Sequence, residues 1–298
     1  MKRVLLFIGT NMAVLAVITT LVKLFGLDNY LNQSGINYSM LAITSVLYGS
    51  IGAFISLWMS KSSAKRMMKV QVIQSPSNQD EVWLVETVSR MAQTLGLGMP
   101  EVGIFQSDSP NAFATGMNKN KALVAVSSGL LNSMKHNEIE AVLGHEMSHV
   151  SNGDMVTMTL LQGVLNSFVL FISQIIGFVM SSQSRRGNRS ASRAASRFGS
   201  YIGTMIAQFV FGFLAALIIK WFSRYREFHA DAGGGRLTSN QDMIAALKAL
   251  QYASNPEVLK GQFVGFGING VPHAVAKLFA THPPLEERIA ALQRHKYN

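Results

Sequence analysis

The chain has 298 residues, of which only 14% are charged and 48% are hydrophobic, whereas soluble domains carry about 25% charged residues, so the composition favours a membrane protein. The sequence has no cysteine, which excludes disulfide bonds and thiolate metal sites. The net charge of +10 comes from basic residues that stand mostly beside apolar runs, a pattern more typical of membrane anchoring than of nucleic-acid binding.

Two uncharged runs at the start of the chain predict a hairpin of membrane helices over residues 1–60. The first run, residues 4–22, follows Lys2 and Arg3 and is long enough to cross about 30 Å of hydrocarbon. A cleaved signal peptide is the alternative, but the run is long for one and no clear cleavage site follows. The second run covers residues 36–60. Basic residues follow it, namely Lys61, Lys65, Arg66 and Lys69. The positive-inside rule therefore places both ends of the hairpin in the cytoplasm.

Residues 61–154 are predicted to form a soluble segment with helices and short strands. Apolar side chains recur at helical spacing over residues 79–95, and the glycines and proline of residues 96–100 end that helix. Three strand-like stretches follow, separated by turn residues: 101–106, 111–116 and 122–127.

The last helix of this segment carries the pattern H-E-x-x-H, formed by His145, Glu146 and His149. Asn137 and Glu140 predict a capping box at its start. On a helix, His145 and His149 lie one turn apart on one face, so both imidazoles can bind one metal ion. Glu146 then lies beside the ion, where a general base for the attacking water is needed. The pattern also occurs by chance on ordinary helices, so a third ligand is needed to support a metal site.

Two weakly polar runs, residues 155–180 and 198–219, predict a second hydrophobic hairpin over residues 155–222. Small and polar residues recur in them at helical spacing, as in packed membrane helices. Two long buried helices of a soluble domain are the alternative. The intervening loop, residues 181–197, is rich in serine and arginine. A full crossing would put this loop outside, against the positive-inside rule, so full crossing and partial insertion both stay open.

The C-terminal segment, residues 223–298, offers candidates for the third zinc ligand. A zinc ion held by two histidines needs one more protein ligand and keeps a position for water. On a helix Glu227 and Asp231 share a face, so we predict Glu227 as the ligand and Asp231 as the acceptor for a ligand imidazole N–H. His229 is the alternative ligand. Without a metal, both carboxylates would simply pair with nearby arginines on a solvated face.

The predicted ligands restrict the membrane topology. His149 and Glu227 must lie on the same side of the membrane to meet at one ion, so an even number of crossings separates them. Two apolar runs lie between these residues and two precede them. The count is consistent with four spans and with both termini in the cytoplasm.

These motifs together resemble the HtpX family of bacterial integral-membrane zinc proteases, which is related to the CAAX prenyl endopeptidases. The resemblance covers essentially the whole chain. Besides the N-terminal spans and the H-E-x-x-H helix, it rests on Pro110–Gly116, Arg226–Asp231 and Thr281–Pro284. It implies a mainly α membrane protein with four hydrophobic helices and a cytoplasmic zincin-like α+β protease domain containing a short β-sheet. It also implies a gluzincin site with one Zn²⁺ per chain.

The resemblance implies a zinc metalloendopeptidase of the bacterial inner membrane, with its active site in the cytoplasm and a role in quality control of membrane proteins under stress. The expected partners are polypeptide substrates, chiefly membrane proteins, and the lipid bilayer, with no nucleic acid and no predicted oligomeric state. A narrower CAAX-type processing protease is one alternative. A non-catalytic membrane protein with a structural metal is another, and the intact Glu146 argues against it.

Three further residues are candidates for contacts with the substrate or the transition state. His282 is expected, by the resemblance and because two prolines fix the following backbone, to stabilise the oxyanion or to occupy the open zinc position; otherwise it only begins a helix. Asn111 precedes a strand that could pair with an extended substrate, or is a turn residue. Arg224 is expected to orient Glu227, to bind substrate, or to mark the membrane boundary.

Overall fold

The computed structural model describes residues 2–24, 26, 28–29, 31, 37–187, 193–253 and 282–294, and for residues 2–8, 181–187 and 193–197 it describes the backbone alone. The chain forms two compact units, each built from two separate stretches. The first comprises Met1–Ser56 and Thr157–Ile219, and the second comprises Leu57–Val156 and Lys220–Asn298.

The described chain is mainly helical and contains a small sheet, as predicted. The helices are α1 (Lys2–Leu24), α2 (Tyr38–Met67), α3 (Gln79–Thr94), α4 (Ser128–Ser133), α5 (His136–Asn152), α6 (Asp154–Gly187), α7 (Arg193–Leu237), α8 (Asn240–Ala253) and α9 (Leu285–Gln293). The strands are β1 (Gln71–Val72), β2 (Glu101–Phe105), β3 (Ala112–Thr115) and β4 (Leu123–Ser127). A single turn of 3₁₀ helix covers Lys119–Lys121.

Three helices in the described residues are long and apolar enough to cross a membrane. They are Tyr38–Met67, Asp154–Met180 and Phe198–Leu237. In α1 the described side chains give a shorter apolar stretch, Gly9–Leu24. Three of the four predicted spans therefore meet the criteria of length and composition, and the first stays a prediction.

Two of these helices extend beyond their predicted bounds. Helical backbone enters the segment predicted as a loop, 181–197, from both ends, because α6 continues to Gly187 and α7 begins at Arg193. Residues 188–192 lie outside the described part of the chain. At its other end α7 continues past the fourth apolar run to Leu237, so Glu227 lies on the same helix as that run.

The helices of the first unit pack through small and polar residues as well as apolar ones. A Cβ placed on Gly49 of α2 would lie 2.6 Å from the backbone nitrogen of Ser167 of α6, so only glycine fits this close approach. Ser50, the next residue, donates a hydrogen bond to the Asn11 side chain of α1. The apolar core of the unit contains Val14, Ile18, Val22, Leu31, Ala42, Val46 and Phe171. Polar contacts of this kind join helices in membranes.

The sheet of the second unit has the strand order β1-β2-β4-β3. β2 and β4 are parallel, and the two outer strands pair antiparallel to their neighbours. Every residue of β4 is buried, as expected for an inner strand. All three strand-like stretches of the sequence form strands, shortened by one or two residues. β3 lies at an edge of the sheet and packs on α5.

The predicted capping box of α5 is wrong, because tertiary contacts use both residues. The helix begins at His136, and the Glu138 carboxylate accepts the backbone N–H of Lys135 at 2.9 Å. The Asn137 amide instead donates to Asp242 of α8 at 2.7 Å. Glu140 accepts a hydrogen bond from Arg90 of α3 at 2.5 Å. The helix is therefore capped two residues earlier than predicted, and it ends at Asn152 before Gly153.

The core of the second unit forms around α5. The side chains of Ile139, Leu143 and Met147 are almost fully buried and belong to one cluster with apolar residues of α3, β4 and α8. Their spacing of three or four residues gives the helix one continuous apolar face. This packing holds α5 in the core of the unit, and His145 and His149 are buried with it.

Candidate metal centre

The site forms where α5 lies against α7. A Cβ on Gly144 would lie only 3.2 Å from the Cα of Gly234, so the two helices approach closely at glycine positions. This approach brings His145 and His149 of α5 beside Glu227 of α7. Glu227 is only 2% exposed, and both histidines are 7% exposed.

The three side chains have the spacing of ligands around one ion. The Nε2 atoms of the two histidines are 3.2 Å apart. Glu227 Oε2 lies 3.5 Å from His145 Nε2, and Glu227 Oε1 lies 3.4 Å from His149 Nε2. Bonds of about 2.0–2.1 Å place the ligand atoms of a tetrahedral zinc ion roughly 3.4 Å apart. Two imidazoles and one carboxylate at these separations therefore fit zinc, and these residues form a group that could hold a metal ion.

The orientation of His145 is set by carboxylates on α7. Its Nδ1 lies 2.9 Å from Asp231 Oδ1, which is the acceptor position predicted from the sequence. Burial by itself lowers the pKa of His145, but the hydrogen bonds to Asp231 and Glu227 outweigh burial and raise the pKa to about 9.

Arg288 of α9 contacts both carboxylates of the site, Asp231 and Glu227. Its Nε donates to Asp231 Oδ2 at 2.7 Å and its Nη2 donates to Asp231 Oδ1 at 2.5 Å. Its Nη1 lies 3.7 Å from Glu227 Oε2. The guanidinium is buried, and although burial lowers the pKa of Arg288, the hydrogen bond to Asp231 raises it overall. A cation that stays charged thus neutralises two buried carboxylates.

His149 has a carboxylate partner of its own. Its Nδ1 lies 2.5 Å from Asp154 Oδ2, and Asp154 is the first residue of α6. Arg226 Nη1 of α7 lies 3.5 Å from the same Asp154 oxygen. Burial by itself lowers the pKa of His149, but the hydrogen bonds to Asp154 and Glu227 raise it.

Glu146 faces the edge of the sheet. Burial raises the pKa of its carboxyl, and the charges of His145 and His149 act in the opposite direction. The backbone of Ala114 in β3 also hydrogen-bonds the Glu146 carboxylate. The group suited to act as a general base therefore lies between the two histidines and an edge strand.

Of the remaining predicted residues, some lie at the site and others do not. His282 reaches the site: its Nδ1 lies 2.7 Å from Glu227 Oε2, while the side chain is 62% exposed. Asn111 lies directly before β3, where its backbone N–H donates to Ser127 Oγ at 2.9 Å. His229 is outside the metal-binding group of the described residues and has its Nδ1 3.1 Å from Tyr225 O.

Arg226, the residue before Glu227, has its Nη1 3.5 Å from a carboxylate oxygen of Asp154. The orienting or substrate-binding role of Arg224 stays a prediction.

Sequence reasoning missed two residues that contact the histidines, Asp154 and Arg288. A signal for Asp154 was present, because no other acidic residue occurs between Glu146 and Glu227. Arg288 gave no such signal, since α9 is a short helix with ordinary alternation of charged and apolar residues. Only the fold brings it to Asp231.

Comparison with known proteins gives a consistent result. The family described as Peptidase family M48 matches residues 78–296. "Protease HtpX" from Thioalkalivibrio sulfidiphilus is 48% identical over 299 residues, covering 98% of this chain and 99% of that protein. "Protease HtpX homolog" from Nitrosomonas eutropha is 50% identical over 298 residues, with 98% and 99% covered. The solved structure of S. mikatae Ste24p has the same fold, with a TM-score of 0.63 at 19% identity, covering 98% of this chain and 66% of that one.

Proposed function

Because the chain belongs to peptidase family M48 and to its HtpX group of membrane metalloproteases, we propose that it is a zinc-dependent endopeptidase that hydrolyses peptide bonds of misfolded or damaged membrane proteins. The observation that carries the proposal is the buried triangle of His145, His149 and Glu227, with Glu146 beside it. The proposed setting is the bacterial inner membrane, with the site and both termini in the cytoplasm and a role in the response to stress.

We assign the zinc ligands to His145, His149 and Glu227, as in a gluzincin, with one ion per chain. Their donor atoms, 3.2–3.5 Å apart, support zinc over calcium or magnesium, because two imidazoles and one carboxylate are a zinc donor set whereas the harder cations prefer oxygen. When bound, zinc polarises the scissile carbonyl and makes water more acidic.

Glu146 acts as the general base. It removes a proton from the attacking water and later passes it to the leaving amine. Burial raises the pKa of its carboxyl, which makes the ionised form a stronger base. The hydrogen bond to the Ala114 backbone keeps this carboxylate at the edge of the sheet.

The edge strand β3 binds the substrate chain in extended form. Ser127 N–H donates to Asn111 O at 2.8 Å, so these two residues form a hydrogen-bonded pair. Hydrogen-bonded residues alternate along antiparallel strands, so the backbone groups of Ala112 and Ala114 face away from β4. An extended peptide can pair with Ala112 and with the carbonyl of Ala114, since the Ala114 N–H already donates to Glu146. This gives main-chain recognition and hence broad sequence tolerance. The role of Asn111 is to begin this strand.

His282 serves as the donor to the oxyanion. The developing negative charge needs donors besides the metal. The His282 imidazole lies at Glu227 with most of its surface exposed, which supports a position at the mouth of the site. Arg224, close in sequence to Glu227, is proposed to contact substrate.

The proposed substrates follow from the setting of the site. Three helices are apolar and long enough to span a membrane, so the protease and membrane-protein substrates are confined to the same bilayer. A site next to an edge strand recognises the backbone of the substrate more than its side chains. Such recognition suits damaged proteins of varied sequence.

The experiment that tests the proposal compares wild type with Glu146→Gln, both purified in detergent and loaded with zinc. We expect the variant to keep its zinc and to lose cleavage of an unfolded protein substrate by two to four orders of magnitude, roughly the contribution of a general base. Normal cleavage by the variant would show that Glu146 is not the base. Cleavage restricted to C-terminally lipidated peptides would replace broad quality control by a processing role.

A further inference from the structure

Asp154 is held next to His149 by the junction between α5 and α6. Gly153, the only residue between these helices, has a φ of 72°, a left-handed conformation that residues with a side chain rarely adopt. Its N–H donates to Val150 O at 3.2 Å and closes the end of α5. Asp154, the next residue, contacts the last turn of α5 through His149.

The contact fixes one tautomer of His149. Its Nδ1 lies 2.5 Å from Asp154 Oδ2, and the carboxylate can only accept, so Nδ1 carries the hydrogen. The unprotonated Nε2 then faces Glu227 Oε1 at 3.4 Å and His145 Nε2 at 3.2 Å. This is the nitrogen that belongs to the ligand triangle.

Arg226 gives the buried Asp154 a positive neighbour. Asp154 is buried, and a buried carboxylate is costly unless it is paired with a cation or with hydrogen-bond donors. Arg226 Nη1 lies 3.5 Å from Asp154 Oδ2, and the arginine directly precedes Glu227 on α7. The helix α7 therefore supplies the predicted ligand Glu227 and also Arg226, the cation next to Asp154.

We propose that Asp154 is a positioning residue of the metal centre, which fixes the ring of His149 for metal binding, with the charge of Arg226 3.5 Å from its carboxylate. The proposal rests on the metal site of the proposed function. Asp154 does for His149 what Asp231 does for His145, so each histidine has its own carboxylate. Partners of this kind raise the basicity of a ligand imidazole and restrict its rotation.

The test measures zinc affinity of the full-length protein in detergent by competition with a chelator, with Glu146→Gln in every sample to prevent self-cleavage. Asp154→Ala should bind zinc about 10–100-fold more weakly than the parent. Asp154→Asn should lose less, because its amide oxygen still accepts the Nδ1–H. The matched control is Asp242→Asn, which removes a carboxylate that Ser239 and Asn137 hydrogen-bond in the same unit, away from the site. Its zinc affinity should equal that of the parent.

A second readout is the visible spectrum of the cobalt-substituted protein, which reports ligand geometry and should change in Asp154→Ala but not in Asp242→Asn. The assignment would be overturned if Asp154→Ala had the same zinc affinity and the same cobalt spectrum as the parent. It would also be overturned if Asp242→Asn weakened zinc binding as much as Asp154→Ala does. If the parent protein bound no zinc, both the Asp154 assignment and the metal site itself would be overturned. Cleavage is measured separately with Glu146 intact. Zinc binding that depends on Asp154, together with no cleavage of an unfolded substrate by the protein with Glu146 intact, would support the assignment and overturn only the proposed protease function.

Discussion

At the scale of single residues, the site is a set of buried charges that neutralise one another. Glu227 and Asp231 are nearly inaccessible to solvent, and Arg288 lies within 3.7 Å of both. A buried carboxylate without such partners would cost several kcal/mol. Because each acidic group faces a histidine as well as a cation, the same contacts that stabilise the fold also orient the imidazoles.

The first prediction concerns the third ligand. Glu227→Ala should lose most of the zinc of the wild type, which should hold about one ion per chain, whereas His229→Ala should keep it. Glu227 lies within 3.5 Å of both ligand histidines, and His229 instead has its Nδ1 3.1 Å from a backbone carbonyl on its own helix. The measurement is metal content by mass spectrometry after mild chelation. Equal zinc in Glu227→Ala and wild type would move the third ligand elsewhere, and loss in His229→Ala would favour the alternative ligand.

At the scale of elements, the meeting of α5 and α7 depends on glycine. Three consecutive glycines, residues 233–235, interrupt the sequence pattern of α7, and glycine disfavours a helix by about 1 kcal/mol per residue relative to alanine. The helix nevertheless continues to Leu237. A Cβ on Gly234 would lie 2.9 Å from the His145 backbone nitrogen and 3.3 Å from Ala141 O. Backbone atoms in a packed helix cannot yield easily, so close packing outweighs local propensity.

The second prediction uses this contact. Gly234→Ala should destabilise the protein by about 1–3 kcal/mol through overpacking, and it should weaken zinc binding because α5 and α7 separate at the ligands. Gly212→Ala on the same helix is the control, because no atom lies within 4 Å of its added Cβ; it should be neutral or slightly stabilising. Thermal unfolding in detergent and zinc affinity are the measurements. Equal unfolding temperatures for the two variants would show that the close approach has no energetic consequence.

At the scale of the whole molecule, the chain combines a unit of apolar helices with a unit that contains the sheet and the candidate metal centre. Helix-forming runs of the first unit expose large apolar side chains such as Phe209, Ile206 and Met205, which a bilayer would cover. The second unit has its own apolar core around α5. The exposed apolar surface of the first unit therefore requires lipid around it.

The third prediction concerns orientation in the membrane. The chain has no cysteine, so single cysteines introduced at exposed positions can report topology. In spheroplasts, Asn29→Cys in the first loop should react with a membrane-impermeant maleimide, and Ser77→Cys in the second unit should react only after permeabilisation, because the positive-inside rule places residues 61–69 in the cytoplasm. Labelling of Ser77→Cys in intact spheroplasts would place the candidate site outside and contradict the cytoplasmic assignment.

The strands, the helix with H-E-x-x-H and three long apolar helices could be predicted from the sequence alone, because each follows from side-chain periodicity over a few neighbouring residues. The spacing of His145 and His149 is likewise a local property of one helix. The continuation of α7 through three glycines, the capping of α5, and the partners Asp154 and Arg288 were decided only by the tertiary structure. The pairing of carboxylates with imidazoles depends on how helices distant in sequence pack together. The residue pattern within one helix does not determine that packing. The assignment of His145, His149 and Glu227 as ligands stays a prediction, and the structure adds the physical reason for it: three buried donor atoms, 3.2–3.5 Å apart, brought together by a close helix contact.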